Sequence, residues 1–256
     1  MKIIIPMSGL GSRFVKAGYA YPKPLIEVHG KPIIEYVIRL FPGEKDFIFI
    51  CRNEHLETTH MRQTLERLMP SGKIVGIPGH KLGPNYAVLQ VQHLIDDNEP
   101  VIVNYCDYYM NWDYIDFKKT VLQNGCDGAI PCYTGFHPHL LHAHNFYAGC
   151  NIDENQYLLE IREKYSFTED KTKSNHSVGM YYFAKGTYIK KYFKQQIDQN
   201  VSLNGEFYTS LVYNLLVQAG LKIYVYNKIS HFCQWGTPED LQEYLYWSGI
   251  FEHLKL

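Results

Sequence analysis

Short apolar segments alternate with longer amphipathic patterns through the first half of the chain. The apolar segments are rich in Ile, Val and Phe and show no regular polar alternation, which is typical of parallel strands covered on both faces. Strands are predicted over residues 2–7, 46–51, 73–77, 101–105 and 128–134. Helices are predicted between them over residues 32–41, 54–69, 85–95 and 114–123. This alternation predicts an α/β fold with a Rossmann-like open sheet.

The second half of the chain has a less regular pattern. Strands are predicted over residues 146–152, 157–161, 177–184 and 221–227. Helices are predicted over residues 187–196, 206–219 and from 238 to the C-terminus. We therefore expect antiparallel strands in this half, and overall a mostly parallel, mixed sheet with helices on both faces. No repeat and no long Pro/Gly/Ser linker interrupts the sequence, so a single domain over residues 1–256 is expected.

Charge and cysteine content narrow the possible partners and surroundings. The chain carries 25 Lys and Arg residues against 26 Asp and Glu residues, which argues against binding to extended nucleic acid or to an anionic membrane surface. No apolar run approaches the roughly 18 residues of a membrane-spanning helix. The six cysteines show no C-x-x-C spacing, so reduced, buried thiols are expected. These features favour a soluble, cytoplasmic protein.

A glycine-rich turn, residues 8–13 (S-G-L-G-S-R), directly follows the first predicted strand. Its two glycines allow the backbone to approach an anion closely, and Arg13 and Lys23 add positive charge. The turn therefore predicts a phosphate-binding site, although G-x-G by itself also fits an ordinary strand-to-helix turn. It is not a dinucleotide fingerprint, because Phe14 stands where the third glycine would be.

The glycine-rich turn, together with P-K-P-L at 22–25 and V-H-G-K-P-I-I at 28–34, resembles the N-terminal signature of the sugar-phosphate nucleotidylyltransferases. The resemblance continues, more weakly, over nearly the whole chain. Its further motifs are G-P-N-Y-A at 83–87, N-Y-C-D at 104–107, R-E-K at 162–164, N-G-E at 204–206 and Q-W-G-T-P-E-D-L at 234–241. It implies a nucleotidyltransferase fold and the transfer of a nucleotide from an NTP to a phosphorylated acceptor, with release of pyrophosphate.

The resemblance also implies roles for particular residues. Residues 1–134 would form the nucleotide-binding half and residues 135–256 the acceptor-binding half. The implied catalytic residues are Arg13, Lys23 and Lys164. The implied nucleotide-binding residues are Ser8, Gly9, Leu10, Gly11, Ser12, Gly83, Asn85 and Tyr86. The implied acceptor-binding residues are Gly149, Glu163 and Glu206. A magnesium ion would be held at the positions of Asp107 and Gln234.

Asp107 fits a metal-binding role on physical grounds, because it ends an apolar run and its carboxylate would emerge at the carboxyl edge of a strand. Mg²⁺ is commonly bound by one or two carboxylates together with phosphate oxygens and water. Two positions depart from the family pattern. Tyr165 replaces a proline after the Glu-Lys pair, and Gln234 replaces a second metal-binding carboxylate with an uncharged amide.

Three other functions stay open. A glycosyltransferase with a similar sheet usually carries a D-x-D metal motif, whose second aspartate is missing after Asp107. A cytidylyltransferase acting on a non-sugar alcohol phosphate shares the N-terminal signature, and Tyr165 keeps this alternative open. Gln234 suggests the third, a catalytically silent homologue that binds nucleotides. The base, the acceptor and the oligomeric state are not fixed by the sequence, although a homo-oligomer is possible.

Several other features allow both a functional and a structural interpretation. Four histidines lie within residues 137–144, where zinc binding, a substrate-facing loop and a solvent-exposed loop are all conceivable. The Tyr-rich run over residues 105–114 fits either stacking on substrate or aromatic packing. Asp113 precedes a helical pattern and is expected to cap it. The aromatic residues over 244–254 predict an amphipathic packing helix or a dimer contact.

Overall fold

The computed structural model describes residues 1–143 and 145–254, and its first half contains eight strands and six α-helices. The strands are β1 (Lys2–Met7), β2 (Glu27–Val28), β3 (Lys31–Pro32), β4 (Phe47–Arg52), β5 (Lys73–Ile77), β6 (Val101–Asn104), β7 (Tyr108–Asn111) and β8 (Gly128–Tyr133). The helices are α1 (Ser12–Lys16), α2 (Ile33–Arg39), α3 (Asn53–Thr58), α4 (Met61–Leu68), α5 (Pro84–Gln90) and α6 (Tyr114–Asn124).

The remaining described residues add six strands and three helices. The strands are β9 (Gly149–Ile152), β10 (Leu158–Arg162), β11 (Asn175–Ser177), β12 (Met180–Phe183), β13 (Ile223–Ile229) and β14 (His231–Gln234). The helices are α7 (Gly186–Asp198), α8 (Thr209–Gln218) and α9 (Pro238–Leu254).

One large mixed sheet runs through both halves, in the order β10-β9-β11-β8-β12-β6-β1-β4-β5, with β13 also paired to β8. The pairs β1–β4, β1–β6 and β4–β5 are parallel, as predicted for the first half. Strand β12 then runs antiparallel between β6 and β8. The predicted antiparallel strands of the second half are therefore confirmed.

Both faces of the central parallel strands β1, β4 and β6 are buried, which explains their unbroken apolar sequences. In β1, Ile3 and Ile5 pack into one hydrophobic core, whereas Ile4 packs into the core on the opposite face. Strand β4 divides in the same way, with Phe49 on the first face and Ile50 on the second. Since successive strand residues point to opposite faces, apolar residues are needed at every position.

Two predicted elements are interrupted in the structure. The helix predicted over 54–69 breaks between α3 and α4, where the Thr59 hydroxyl donates to the His55 carbonyl (2.6 Å) and accepts from the Met61 N–H (3.2 Å). Such side-chain bonds compete with helical hydrogen bonds. The strand predicted over 177–184 breaks at Gly179, which has a φ of +89° and lies against Tyr105.

A small sheet formed by β7 and β14 escaped prediction. The two strands are antiparallel and pair Tyr108 with Gln234. Just beyond this pair, the Trp235 N–H donates to the carbonyl of Asp107 at 3.0 Å. The sheet therefore places the G-T-P segment of residues 236–238 beside Asp107, although the two lie far apart in the sequence.

The histidine-rich segment is partly a buried structural element, so an exposed loop is the wrong description for two of its histidines. His137 and His139 are buried beside Tyr133 and Phe232. His137 accepts a hydrogen bond from the Phe232 N–H (3.2 Å), and His139 shares one with the Tyr133 hydroxyl (2.6 Å). His142 is exposed, and His144 lies outside the described residues.

The described residues do not support zinc binding by this histidine-rich segment. Across residues 1–143 and 145–254, no three His, Cys, Asp or Glu side chains are arranged to hold a metal ion. The six cysteines are free thiols, five of them buried, as expected. No helix formed by the described residues is both long and apolar enough to cross a membrane.

The buried histidines predict a specific acid sensitivity. Burial, reinforced by neighbouring histidines, lowers the pKa of His139 to about 3. The unfolded chain binds a proton here near pH 6.5 and the folded protein does not, so the free energy of unfolding falls as the pH drops from about 6.5 toward 3, by up to about 1.4 kcal/mol per pH unit. We expect His139→Gln to flatten this dependence in urea unfolding at pH 7 to 4.5. His142→Gln is the exposed control, and a His139→Gln profile parallel to the wild type would contradict the prediction.

Helix α9 only partly fulfils the prediction of a packing helix. Tyr244 packs edge-on against the buried Trp235, with ring centroids 5.2 Å apart. Tyr246, Trp247 and Phe251 are instead exposed, and their rings contact one another.

Candidate active site

The glycine-rich turn joins β1 to α1 at the carboxyl edge of the parallel strands, where ligands bind in open α/β sheets. Gly11 adopts left-handed dihedrals (φ 60°, ψ 32°), which glycine tolerates best. A Cβ atom at Gly9 would meet no atom within 4 Å, so open space borders the turn. The N–H groups of Ser12 and Arg13 begin a helix and have no intrahelical acceptor. The turn can therefore accept a phosphate group from its open side.

Lys23 and Asp107 form an ion pair at this edge of the sheet. The Lys23 ammonium donates to the Asp107 carboxylate at 2.9 Å and to the Gly236 carbonyl at 3.2 Å. The ammonium also lies 5.4 Å from the centre of the Phe14 ring. Both charged side chains are largely but not fully buried, with 17% and 29% of their surfaces exposed. Sequence predicted both residues as site residues, and the structure shows that they are paired with each other.

Gln234 is buried at the end of β14, and its amide nitrogen is hydrogen-bonded to Asp240 and not to Asp107. Its Nε2 donates to the carboxylate of Asp240, which also accepts from the Thr237 hydroxyl. Burial raises the pKa of the Asp240 carboxyl. The Gln234 amide oxygen is buried and has no hydrogen-bond partner among the described residues. Gln234 therefore offers one free acceptor and no charge.

The loop between β5 and α5 faces the glycine-rich turn. The buried Ser8 hydroxyl shares a hydrogen bond with His80 Nε2 at 3.1 Å. The ring of His80 packs against Tyr86, with centroids 4.8 Å apart. Tyr86 is half-buried and lies beside His80. Sequence reasoning missed His80, although its position between two glycines of a strand-to-helix loop was a usable signal.

Asn85 is not available to a nucleotide, contrary to its predicted role in binding. The side chain is fully buried and its hydrogen-bonding groups are occupied. Its Nδ2 donates to Gln196 Oε1 at 2.7 Å, and its Oδ1 accepts from the Thr209 hydroxyl at 2.7 Å. Asn85 therefore joins α5 to α7 and α8 as a structural residue.

Gly83 makes a close backbone contact with the segment that carries Glu206. The Phe207 N–H donates to the Leu82 carbonyl at 2.9 Å, and the Asn85 N–H donates to the Phe207 carbonyl at 3.3 Å. A Cβ atom at Gly83 would lie 2.7 Å from the Phe207 nitrogen. Gly83 also has a φ of +85°. The loop of residues 82–85 and the loop of residues 203–207 are therefore joined through their backbones.

Glu206 follows a tight turn instead of starting a helix. Leu203 and Glu206 exchange two backbone hydrogen bonds of 3.1 and 3.0 Å around Asn204 and Gly205, which both have positive φ. Asn-Gly is the preferred sequence for such a two-residue turn. Helix α8 begins three residues later at Thr209. The turn holds Glu206 at the edge of the site.

Glu163 lies in the same region as Glu206. The Ser210 hydroxyl donates to its carboxylate. Burial raises the pKa of the Glu163 carboxyl, and the charge of Glu206 raises it further. Burial raises the pKa of the Tyr208 hydroxyl, Glu206 and Glu163 raise it further, and Arg13 opposes these effects. The two carboxylates therefore act electrostatically on the same hydroxyl.

Lys164 is exposed beside Glu163 and adopts a φ of +53°. The next residue, Tyr165, is held by a hydrogen bond from Asn145 to its carbonyl (2.7 Å) and by Arg162, which lies 5.0 Å from its ring centre. Gly149 supports this loop from behind, since a Cβ there would be 2.4 Å from the Tyr165 carbonyl oxygen. Gly149 is buried, and this close contact leaves no room for a side chain there.

Most of the Tyr-rich run serves packing. Tyr108 and Tyr114 are buried, and Trp112 packs against Phe117. Asp113 caps α6 as predicted, because its carboxylate accepts from the Asp116 N–H. The Tyr105 hydroxyl accepts a hydrogen bond from the Thr209 N–H at 3.2 Å, at the start of α8.

Comparison with solved structures identifies the fold. The chain is similar to a nucleoside-diphosphate-sugar pyrophosphorylase from Vibrio cholerae RC9, with a TM-score of 0.77 and 22% identity over 95% of this chain and 99% of that chain. It is also similar to the inositol-1-phosphate CTP transferase from T. maritima, with a TM-score of 0.68 and 14% identity over 96% and 93% of the two chains. At these identities the likeness shows the fold alone, which is that of the nucleotidyltransferases.

A match to a model of family sequences shows which family the chain belongs to. The model of the MobA-like NTP transferase domain matches residues 3–167. The chain therefore belongs to the MobA-like NTP transferase family, which confirms the resemblance noted in the sequence.

Curated relatives match over shorter segments. A UTP–glucose-1-phosphate uridylyltransferase of Haemophilus ducreyi is 32% identical over 73 residues, 25% of this chain and 25% of the relative. A glucose-1-phosphate cytidylyltransferase of Salmonella typhimurium is 40% identical over 53 residues, 20% of this chain and 21% of the relative. The matched segments thus span about a quarter or less of these relatives.

Proposed function

We propose that the protein transfers a nucleoside monophosphate from an NTP to a sugar-1-phosphate or a related phosphorylated acceptor and releases pyrophosphate. An acceptor phosphate oxygen forms a bond to the α-phosphorus of the NTP, and the bond between that phosphorus and the bridging oxygen breaks, so the electron pair leaves with pyrophosphate. The reaction depends mainly on positioning and charge neutralisation and needs no general base.

The observation that carries this proposal is the Lys23–Asp107 ion pair beside the glycine-rich turn. A phosphate chain lying on the open side of Gly9 and Gly11 brings its negative charge toward the Lys23 ammonium. Lys23 then exchanges the Asp107 carboxylate for phosphate oxygens. Arg13, exposed at the start of α1, neutralises the β- and γ-phosphates that leave as pyrophosphate. These cations stabilise the charge that develops during transfer.

Asp107 is the residue that fits a magnesium ion. Its carboxylate and the nearby Gly236 carbonyl, joined through Lys23, are hard oxygen donors of the kind that Mg²⁺ prefers together with phosphate oxygens and water. Bound Mg²⁺ would neutralise the triphosphate. Gln234 does not supply a second charged ligand, because an amide is neutral, although its buried oxygen has no hydrogen-bond partner among the described residues.

The acceptor lies on the other side of the reacting phosphorus. Lys164 supplies the positive charge that brings the acceptor phosphate toward the α-phosphate. Glu163 and Glu206 accept hydrogen bonds from the hydroxyl groups of the acceptor, a role suited to a sugar. Residues 1–134 thus act as the nucleotide-binding half and residues 135–256 as the acceptor-binding half of one catalytic domain.

A matrix of substrates tests the proposal. The five common NTPs are each combined with sugar-1-phosphates and with alcohol phosphates in the presence of Mg²⁺, and pyrophosphate release is measured. We expect release with a sugar-1-phosphate. Release with alcohol phosphates alone would favour a non-sugar acceptor, and NTP binding without release in any combination would overturn the proposed reaction.

Lys164→Ala is expected to raise the KM for the acceptor by at least about tenfold, because charge-assisted hydrogen bonds contribute about 1.5 to 3 kcal/mol. The KM for the NTP should change little. The matched control is Lys173→Ala, which removes an exposed lysine paired with Asp170 at 3.5 Å. Equal KM values for the acceptor in the two variants would exclude the proposed contact.

A further inference from the structure

His80 makes three contacts that join two segments of the nucleotide site. Its Nε2 is 3.1 Å from the hydroxyl of Ser8, at the start of the glycine-rich turn. Its Nδ1 accepts a hydrogen bond from the Leu82 N–H at 3.2 Å. Its ring packs against Tyr86 in the first turns of α5. One imidazole thus forms hydrogen bonds with the turn and with its own loop, and packs against the helix that follows.

These contacts define the protonation of the ring. A nitrogen that accepts from a backbone N–H carries no proton, so the neutral ring has its proton on Nε2. The Nε2–H group then donates to the Ser8 oxygen, which leaves the Ser8 proton free to donate elsewhere. Burial, together with the charge of Arg52, lowers the pKa of His80 and keeps the ring neutral.

Arg52 holds the other side of the same loop. Its guanidinium lies directly over Gly79, where a Cβ atom would be 2.3 Å from the guanidinium carbon. Arg52 is itself fixed by an ion pair with Glu54 at 3.0 Å. The His80 loop therefore contacts Arg52 through Gly79 and Ser8 through His80.

We propose that His80 is a positioning residue that fixes the loop of residues 78–86 against the glycine-rich turn, so that Ser8 and Tyr86 meet the nucleotide in one preformed arrangement. The proposal rests on the proposed function for the identity of the ligand. Without the Ser8 contact, the two segments would have to be ordered by the nucleotide itself, which weakens binding. The backbone pairing of Leu82 and Asn85 with Phe207 does not involve the imidazole, so it would still hold residues 203–207 and leave the acceptor contacts in place.

Variants of both partners separate this role from general stability. His80→Asn retains an acceptor that can reach the Leu82 N–H but is too short to reach Ser8, and Ser8→Ala removes the other partner. Each Mg²⁺–NTP complex of the five common bases is titrated into each protein by calorimetry. His93→Asn, which changes an exposed histidine, is the control. Histidine ¹⁵N spectra of the wild type report the tautomer independently of activity.

We expect His80→Asn and Ser8→Ala each to weaken NTP binding about tenfold, and the double variant to bind no more weakly than either single variant. The KM for the acceptor should stay the same, and His80 should carry its proton on Nε2. Additive losses, unchanged binding in His80→Asn, or a proton on Nδ1 would overturn the proposal. NTP binding without pyrophosphate release would overturn only the proposed function, whereas turnover with unchanged binding in His80→Asn would overturn only the role of His80.

Discussion

Replacing Lys23 by methionine should lower turnover by at least about 100-fold, the effect of removing one preorganised charge donor from a reacting centre, and should at the same time tighten metal binding in the nucleotide-free protein. The two effects run in opposite directions because the Lys23 ammonium is paired with the Asp107 carboxylate at 2.9 Å. A metal ion must displace the ammonium, and the variant has none to displace. Since both groups remain partly exposed, the gain in metal affinity should be only roughly two- to fivefold.

Asp107→Asn separates the two effects, because it should lower turnover and metal affinity together. Metal affinity is measured with Mn²⁺ by electron paramagnetic resonance without nucleotide, and turnover by pyrophosphate release. Lys16→Met, which changes an exposed lysine of the neighbouring helix α1, should leave both unchanged. Weaker Mn²⁺ binding in Lys23→Met would show that the ion pair does not compete with the metal. Near wild-type turnover in both Lys23→Met and Asp107→Asn would exclude the proposed site.

The second large effect is expected from Gly83→Ala. The new methyl group would lie 2.7 Å from the Phe207 nitrogen, and the backbone would be held at a φ of +85°. Its dihedrals (φ 85°, ψ 179°) lie in a region that is essentially restricted to glycine, so a residue with a Cβ there costs roughly 1 to 3 kcal/mol. The close contact adds to this cost and forces the loops of residues 82–85 and 203–207 apart. We expect a lower melting temperature and higher KM values for both the NTP and the acceptor.

Gly220→Ala is the matched control, because Gly220 has a φ of +76° but a Cβ there would meet no atom within 4 Å. Gly220→Ala therefore shares the strain of a positive φ with Gly83→Ala but not the close contact. Both variants should therefore lose thermal stability, whereas only Gly83→Ala should lose affinity for the two substrates. Unchanged KM values in a folded Gly83→Ala protein would show that the backbone pairing does not hold the substrate loops.

The parallel half of the fold could be predicted because its strands are buried on both faces and therefore carry an unbroken apolar sequence. The glycine-rich turn, Lys23 and Asp107 could be identified because their motifs have characteristic residue types and spacing. The β7–β14 sheet could not, since four-residue strands more than a hundred residues apart leave no local pattern. The burial of Asn85 was equally hidden, because its partners Gln196 and Thr209 come from distant helices.

The burial of His137 and His139 could not be predicted from the sequence either. A polar sequence such as that of residues 137–144 resembles an exposed loop, yet His137 and His139 are buried because aromatic residues of β8 and β14 surround them and satisfy their nitrogens. Whether a histidine is buried depends on partners that tertiary structure supplies. The role of His80 was hidden for the same reason, since its hydrogen-bond partner Ser8 lies about seventy residues earlier in the sequence.

The backbone pairing of Leu82 and Asn85 with Phe207 also constrains how specificity can change in this protein. A chimaera that imports only the 203–207 loop from a relative would have to match a foreign backbone at Gly83, where there is no room for a side chain. Exchange of the two loops as a unit preserves the pairing. Preferences for the nucleotide and for the acceptor should therefore be inherited and engineered together.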